Sequence, residues 1–253
     1  MASLDVKPAA QGFRKGVDAY VAGRPDYPPS LLDDLPLAGV ETILELGAGT
    51  GKFTALLART GKRIVAVEPI AEMAARIRAT AGDGVEVRAG TAEAIPLADA
   101  SVELVCCAQA FHWFDYDKAA AEVVRVLKPG GHFALVWNVR DVRTSWVAAL
   151  SRLFERHAGD TPRHGSGKWK VVLADPRFDF LGTTTRPFAY PMGREAVLDR
   201  VLSTSFIAAM TDGEKARIRA EAAAVLDADP SLRGRDEIAF PYVTELHLLR
   251  KRV

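Results

Sequence analysis

Between residues 42 and 140 the chain alternates short apolar runs with segments of helical periodicity, and this alternation restricts the fold more than any other feature. Ile43-Leu44-Glu45-Leu46, Arg63-Ile64-Val65-Ala66-Val67, Gly84-Val85-Glu86-Val87-Arg88, Val102 to Ala108 and His132 to Trp137 read as five strands. Short runs that are apolar on both faces are what buried parallel strands need. After the first strand, Phe53, Leu56, Leu57 and Thr60 form the i, i+3, i+4, i+7 stripe of an amphipathic helix, which Gly61 ends. Pro69 opens a second helix through about Thr80. A third, from about Tyr116 to Leu127, places Ala120, Val123, Val124 and Leu127 on one face before Lys128-Pro129-Gly130-Gly131 stops it. Strand–helix–strand units with short connections are right-handed and build a parallel sheet covered on both faces.

The second half departs from this rhythm. Residues 144 to 158 and 193 to 227 read as helical, while Phe180 to Tyr190 and Pro241 to Leu249 read as strands. Two late strands without a crossover helix of the usual length predict an antiparallel edge hairpin. The expected architecture is therefore α/β: a doubly wound, Rossmann-like, mostly parallel seven-stranded sheet with an antiparallel edge hairpin and a helical cap. The expected organisation is one domain over 1–253. It comprises an N-terminal arm (1–41), a ligand-binding core (42–141), a helical cap with the sixth strand (142–237) and the last strand (238–253).

Charge narrows the partners. Lys plus Arg number 33 against 32 Asp plus Glu, and no segment gathers basic residues into a stripe interleaved with aromatics. A nucleic-acid groove, which must neutralise many phosphates, is disfavoured. Met1 to Pro8 has no apolar core of a signal peptide, and no run approaches the roughly 18 to 20 apolar residues that span a bilayer. Cys106 and Cys107 are neighbours in a strand and point to opposite faces, where a disulfide would be strained. The five histidines are scattered without metal-ligand spacing. The expectation is a cytoplasmic, metal-independent protein that engages neither membrane nor nucleic acid.

Gly47, Gly49 and Gly51 lie in the turn from the first strand into the first helix, where glycine lets the backbone approach a ligand closely. Glu68 follows the second strand, about 20 positions on, where an acidic residue reaches both ribose hydroxyls of a nucleoside. The two readings kept beside these are a tight strand–helix connection and a surface carboxylate before a helix. A dinucleotide fingerprint would place the third glycine one residue later and a pyrophosphate at the helix N-terminus. The early Gly51 and the acidic Glu45 before the turn disfavour phosphate. They suit S-adenosyl-L-methionine (AdoMet), which carries an ammonium, a sulfonium and no phosphate.

Glu45-Leu46-Gly47-Ala48-Gly49-Thr50-Gly51, Val67-Glu68-Pro69, Gly90-Thr91-Ala92-Glu93-Ala94-Ile95-Pro96-Leu97 and Arg125-Val126-Leu127-Lys128-Pro129-Gly130-Gly131 together resemble the successive motifs of class I AdoMet-dependent methyltransferases. Tyr20-x-x-x-Arg24-Pro25-x-Tyr27-Pro28, Ala108-Gln109-Ala110-Phe111-His112-Trp113-Phe114 and Trp137-Asn138-x-Arg140-Asp141 resemble the trans-aconitate methyltransferase-like group within them. The resemblance implies that Glu45, Ala48, Gly51 and Pro69 belong to the cofactor-binding motifs. Gly47 and Gly49 would face the methionine part and Glu68 the ribose. Thr91, Ala92 and Glu93 would border the adenine, with Ile70 packed on it. Tyr20 and Arg24 would lie at the methionine end, where Arg24 pairs with the carboxylate, or would staple the N-terminal arm instead. The Gln109 backbone would accept from the ammonium.

The acceptor end is less constrained. His112, after the fourth strand and among aromatics, is the candidate general base, or else a residue that orients its loop. Trp113 and Trp137 are candidate pocket wall or core, and Asn138 and Arg140 could grip a polar or acidic acceptor or bind the cap. The resemblance implies a small-molecule acceptor, with a carboxylic acid or hydroxyl methylated on oxygen. The Asn/Asp-Pro-Pro-Tyr element of base- and glutamine-methylating relatives is absent after the fourth strand. The rival functions are a catalytically silent AdoMet-binding partner subunit and a nicotinamide-dependent oxidoreductase.

Overall fold

The computed structural model describes residues 24–252. Seven strands, β1 (Thr42–Leu46), β2 (Arg63–Val67), β3 (Val85–Arg88), β4 (Val102–Ala108), β5 (Leu127–Arg140), β6 (Phe178–Gly193) and β7 (Glu237–Lys251), form one sheet in the order β3-β2-β1-β4-β5-β7-β6. The first five are parallel, with Ile43 opposite both Ile64 and Leu104. β7 runs against its neighbours. Asp141 N–H donates to Pro241 O (3.0 Å) at one end of the β5–β7 pair, and Lys251 Nζ donates to Leu127 O (2.7 Å) at the other. The mostly parallel sheet with an antiparallel edge is the expected fold.

The connecting helices are α1 (Lys52–Ala58), α2 (Ala71–Ala81) and α3 (Tyr116–Val126), followed by α4 (Ser145–Ala158), α5 (Arg194–Leu202), α6 (Ser205–Ala208) and α7 (Asp212–Ala228). One boundary differs from expectation. β5 starts at Leu127, directly after α3, instead of at His132. Val102 opposes Leu127 while Leu104 opposes His132, so Lys128 to Gly131 is an irregular insertion within the strand. Gly130 (φ +70°) supplies the left-handed residue that such an irregularity needs, and Pro129 has no N–H to contribute to a regular ladder.

The described chain divides into two compact units, and β5, β6 and β7 each run from one into the other. The first holds 27–138, 162–186 and 244–252. Its core is built on Ile43, Ile64, Leu104, Cys106 and Val136 from the sheet, with Phe53, Leu57 and Ile77 from α1 and α2. A 3-10 helix, Pro29–Asp34, adds the fully buried Leu31, and Tyr27 packs edge-on against Phe53 at 4.8 Å. Each such side chain contributes roughly 1.5–3 kcal/mol of burial. Cys106 and Cys107 are both free and buried, and burial pushes their thiols up out of the reactive range.

The second unit holds 24–26, 139–161 and 187–243. Trp146, Leu150, Leu153 and Phe154 recur at helical spacing on α4 and meet Val197 and Val201 of α5, Ile218 and Leu226 of α7, and Phe240. A capping box starts α7: Thr211 Oγ1 accepts from Glu214 N–H (3.3 Å) and Glu214 Oε2 accepts from Thr211 N–H (2.9 Å). No helix among the described residues is long and apolar enough to cross a membrane.

Candidate active site

Strand order reverses between β1 and β4, and in open α/β sheets ligands bind at the carboxyl ends of the strands beside such a reversal. Both strands end in tight turns there. Gly47 and Ala48 N–H donate to Val67 O (2.9 and 3.2 Å), which folds the first turn back over β2. Gly47 has φ +65°, and a Cβ on it would lie 2.7 Å from Ala110 Cβ and 3.3 Å from Phe114 Cζ. Glycine is thus demanded by both backbone and space. Gly49 also has positive φ (+58°), yet nothing lies within 4 Å of where its Cβ would be. Gly51 caps α1 at φ +90°, and a Cβ on it would lie 3.0 Å from Ile77 Cα, so a side chain here would push α1 off α2.

The Glu68 carboxylate is buried and held by main-chain donors: Gly49 N–H to Oε2 (2.8 Å) and Ile70 N–H to Oε1 (2.9 Å). Burial raises its pKa and these two amides work against that rise. Each oxygen retains a further lone pair for a hydroxyl donor. Glu45 does not stand at the lip of the turn as the sequence suggested. It is 1% exposed and accepts from Thr54 Oγ1 (2.6 Å). Burial first, then the nearby Glu68 charge, raise its pKa to about 8 against the Thr54 bond.

The other cofactor candidates form a connected rim. Ile70 is buried at the start of α2, after the half-buried Pro69. Thr91 bridges to Ala94, Ala92 is buried, and Glu93 Oε1 accepts from Asp115 N–H (2.9 Å), which ties this turn to the segment after β4. Gln109 adopts φ +58°, a conformation that costs a non-glycine residue roughly 1–3 kcal/mol and clusters at ligand clamps. Gln109 N–H donates to Val136 O (2.9 Å) and its Nε2 to Asn138 O (3.1 Å).

At the acceptor end, Phe111–Trp113 form one 3-10 turn. Phe111 is fully buried against Phe133, and so is core, while His112 and Trp113 are half-buried with rings 5.3 Å apart. Trp137 is fully buried and its Nε1 points at His112 Nδ1 across a long 3.4 Å. Asn138 Oδ1 accepts from Thr244 Oγ1 (2.7 Å). Tyr20 lies outside the described residues. Arg24 and Arg140 belong to the second unit, whereas Asn138 belongs to the first.

In the second unit Arg140 stacks over Phe154 (4.0 Å to the centroid) and donates to Ser151 Oγ (3.1 Å). Burial lowers its pKa, and Arg24 lowers it further. Arg200 is 7% exposed, and its Nε has no hydrogen-bond partner among the described residues. Burial, then the charge of Arg24 and also that of Arg140, bring it down to about 10, with Tyr242 beside it acting the other way. Three guanidiniums thus share one neighbourhood. Thr54, Ala110, Phe114, Arg200 and Tyr242 were not legible as site residues, because none sits in a local pattern that marks its partner.

The chain matches the family model of a methyltransferase domain over residues 44–135. It is 38% identical over 237 residues to an uncharacterized methyltransferase-like protein of Schizosaccharomyces pombe, covering 92% of each chain. It is 39% identical over 232 residues to an uncharacterized methyltransferase of Mycobacterium tuberculosis, again covering 92% of each. A solved structure from Anaeromyxobacter dehalogenans, described as a type II methyltransferase, is similar at 28% identity with a TM-score of 0.67, covering 90% of this chain and 97% of that one. A glycine turn open at Gly49 and an amide-anchored acid with spare lone pairs fit a nucleoside carrying a cationic methionine end. With these relatives, that places the chain in the class I S-adenosylmethionine-dependent methyltransferase family.

Proposed function

We propose that this enzyme transfers a methyl group to a carboxylate oxygen of a small acidic molecule, as a member of the trans-aconitate methyltransferase-like group that its motifs resemble. The observation that carries this reading is the cluster of Arg24, Arg140 and Arg200 around Tyr242. Arg200 is buried with its Nε unpartnered among the described residues, and an anion beside it would offset the cost of that burial. An acceptor bearing carboxylates supplies that anion, and Arg is suited to grip it in a fork.

When bound, AdoMet supplies a methyl group already activated on sulfonium sulfur, so the protein's task is positioning and exclusion of water. Glu68 would hold the ribose, with the Gly47–Gly49 backbone and Gln109 at the methionine end and Ile70, Thr91, Ala92 and Glu93 about the adenine. The acceptor's oxygen lone pair forms the new O–C bond as the C–S bond breaks, and no proton changes hands.

His112 supports a carboxylate over a hydroxyl acceptor. An indole N–H can only donate, so His112 Nδ1 accepts from Trp137, and a neutral ring then carries its proton on Nε2. An Nε2–H donates to an acceptor's oxygen and cannot take a proton from it. A carboxylate needs no base, whereas a hydroxyl does. His112 is accordingly proposed as an orienting donor.

Incubation with AdoMet and a panel of mono-, di- and tricarboxylic acids, phenols and amines tests this, with products identified by mass and by lability to mild base. A base-labile methyl ester is expected. Methylation of carbon, nitrogen or phenol oxygen alone would overturn the acceptor class while leaving the family intact.

A further inference from the structure

Outside the carboxyl-edge turns, one group of imidazole and carboxylate side chains converges among the described residues. Glu245 and His247 are two apart on β7 and so share a face, while His164 begins the short 3-10 turn His164–Ser166. Nε2 of His164 lies 3.1 Å from Glu245 Oε2, and Nε2 of His247 lies 3.3 Å from the same oxygen. All three donor atoms fall within 4.8 Å of one another. The group is fixed from behind: His164 stacks on the fully buried Trp169 (5.3 Å), whose Nε1 donates to His164 O (3.0 Å), and Trp169 packs on Trp137 at 4.0 Å.

We propose that His164, Glu245 and His247 form a binding site for a divalent transition-metal ion of the zinc class. Two imidazole nitrogens and one carboxylate are the donor set of such ions, not of calcium or magnesium, which prefer all-oxygen shells. Tetrahedral bonds of about 2.0–2.2 Å put neighbouring donors roughly 3.3 Å apart, which the two observed contacts already match. His247 also has the outer partner that a metal-bound imidazole uses. Its Nδ1 is 2.8 Å from Thr183 Oγ1, and an Nδ1–H donated there leaves the Nε2 lone pair facing the group. His164 and Glu245 are each about a quarter exposed, which leaves a route for the ion and a fourth position for water. Binding releases any protons the Nε2 atoms carry. The ion would clasp the segment from His164 to Trp169 onto β7, over the Trp137 indole that reaches His112. The site is independent of the acceptor reading.

The full-length chain without a histidine tag, stripped with EDTA, is titrated with Zn²⁺ by calorimetry and with Co²⁺ by visible absorption. About one equivalent bound at micromolar Kd or tighter, a Co²⁺ ligand-field band and a Tm raised by several degrees are expected. His164→Gln and Glu245→Gln should each weaken Zn²⁺ at least tenfold, by analogy with the loss seen on disturbing even outer partners of a metal. Wild-type protein lacking a stoichiometric Zn²⁺ transition and a Co²⁺ band would overturn the site, whether or not the variants fold. Equal affinity in a folded His164→Gln variant would overturn it too.

Discussion

Two clusters of like charge are built into this molecule, and they are stabilised by opposite means. In the first unit, Glu68 sits close enough to raise the proton affinity of Glu45, yet each has a donor supplied by the fold itself: Thr54 for Glu45, and the Gly49 and Ile70 amides for Glu68. In the second unit, Arg200 meets the charges of Arg24 and Arg140, with the Tyr242 phenol and a long bond to Thr204 Oγ1 (3.4 Å) acting the other way. The acidic cluster is complete in the folded chain, whereas the proposed acceptor would complete the basic one. A preorganised main-chain cradle reads the common methyl donor. The buried Arg200 is where the proposed acidic acceptor would be selected.

The largest expected effect breaks the first cluster. Glu68→Ala removes the acceptor of two buried amides and the candidate ribose ligand, and AdoMet affinity should fall by roughly 1.5–3 kcal/mol, about 10- to 150-fold. Calorimetric titration measures this, and unchanged affinity would reduce Glu68 to a turn-stabilising acid. The matching change in the second cluster is Arg200→Met. Replacing a poorly compensated buried charge by an apolar side chain is often neutral or stabilising by about 1–4 kcal/mol. Thermal unfolding should therefore show no loss of stability, while KM for the acidic acceptor rises about tenfold, one charge-assisted hydrogen bond's worth. A large loss of stability with unchanged KM would make Arg200 a structural residue.

The two clusters also differ in how well the sequence announces them. Gly47, Gly49, Gly51 and Glu68 lie within one strand–helix–strand unit, so local spacing ties them together, and the apolar runs fixed the five parallel strands in the same way. Arg24, Arg140, Arg200 and Tyr242 come from positions each separated from the next by more than 40 residues. His164 and Glu245 are 81 residues apart, which is why the histidines read as scattered. Glu45 shows a further limit. Its place before the turn suggested a carboxylate facing the ligand's ammonium, but the pleat of β1 turns it inward to Thr54, and burial raises its proton affinity.

That inward turn gives an effect that is spread over several pH units. The folded-state value for Glu45 of about 8 lies above its ordinary 4.5, so between these values the folded chain holds a proton that the unfolded chain has released. Stability of the cofactor-free protein is thus greatest below pH 4.5 as far as this group is concerned, and declines by about 1.4 kcal/mol per pH unit until it levels off above pH 8. Glu68, raised in the same direction, adds to the trend. Glu45→Gln should flatten the dependence of Tm on pH between 5 and 8, with Glu68 responsible for what remains. An identical slope in wild type and variant would mean that Glu45 is ionised in the fold.

The smallest expected effect concerns His112, whose role depends on which cluster governs the chemistry. If the acceptor is a carboxylate, His112 contributes one hydrogen bond through Nε2, and His112→Gln, which keeps an N–H donor, should lower kcat by less than about tenfold. The kcat–pH profile should keep its shape, since no proton is taken in the transfer. A true base would behave differently: its loss costs about 10²–10⁴-fold and removes the acidic limb of the profile. AdoMet affinity should be unchanged in either case, which separates damage to the turn at Gly47 and Ala110 from loss of chemistry. A loss of 10²-fold or more with the acidic limb gone would return His112 to the role of base and point to a hydroxyl acceptor.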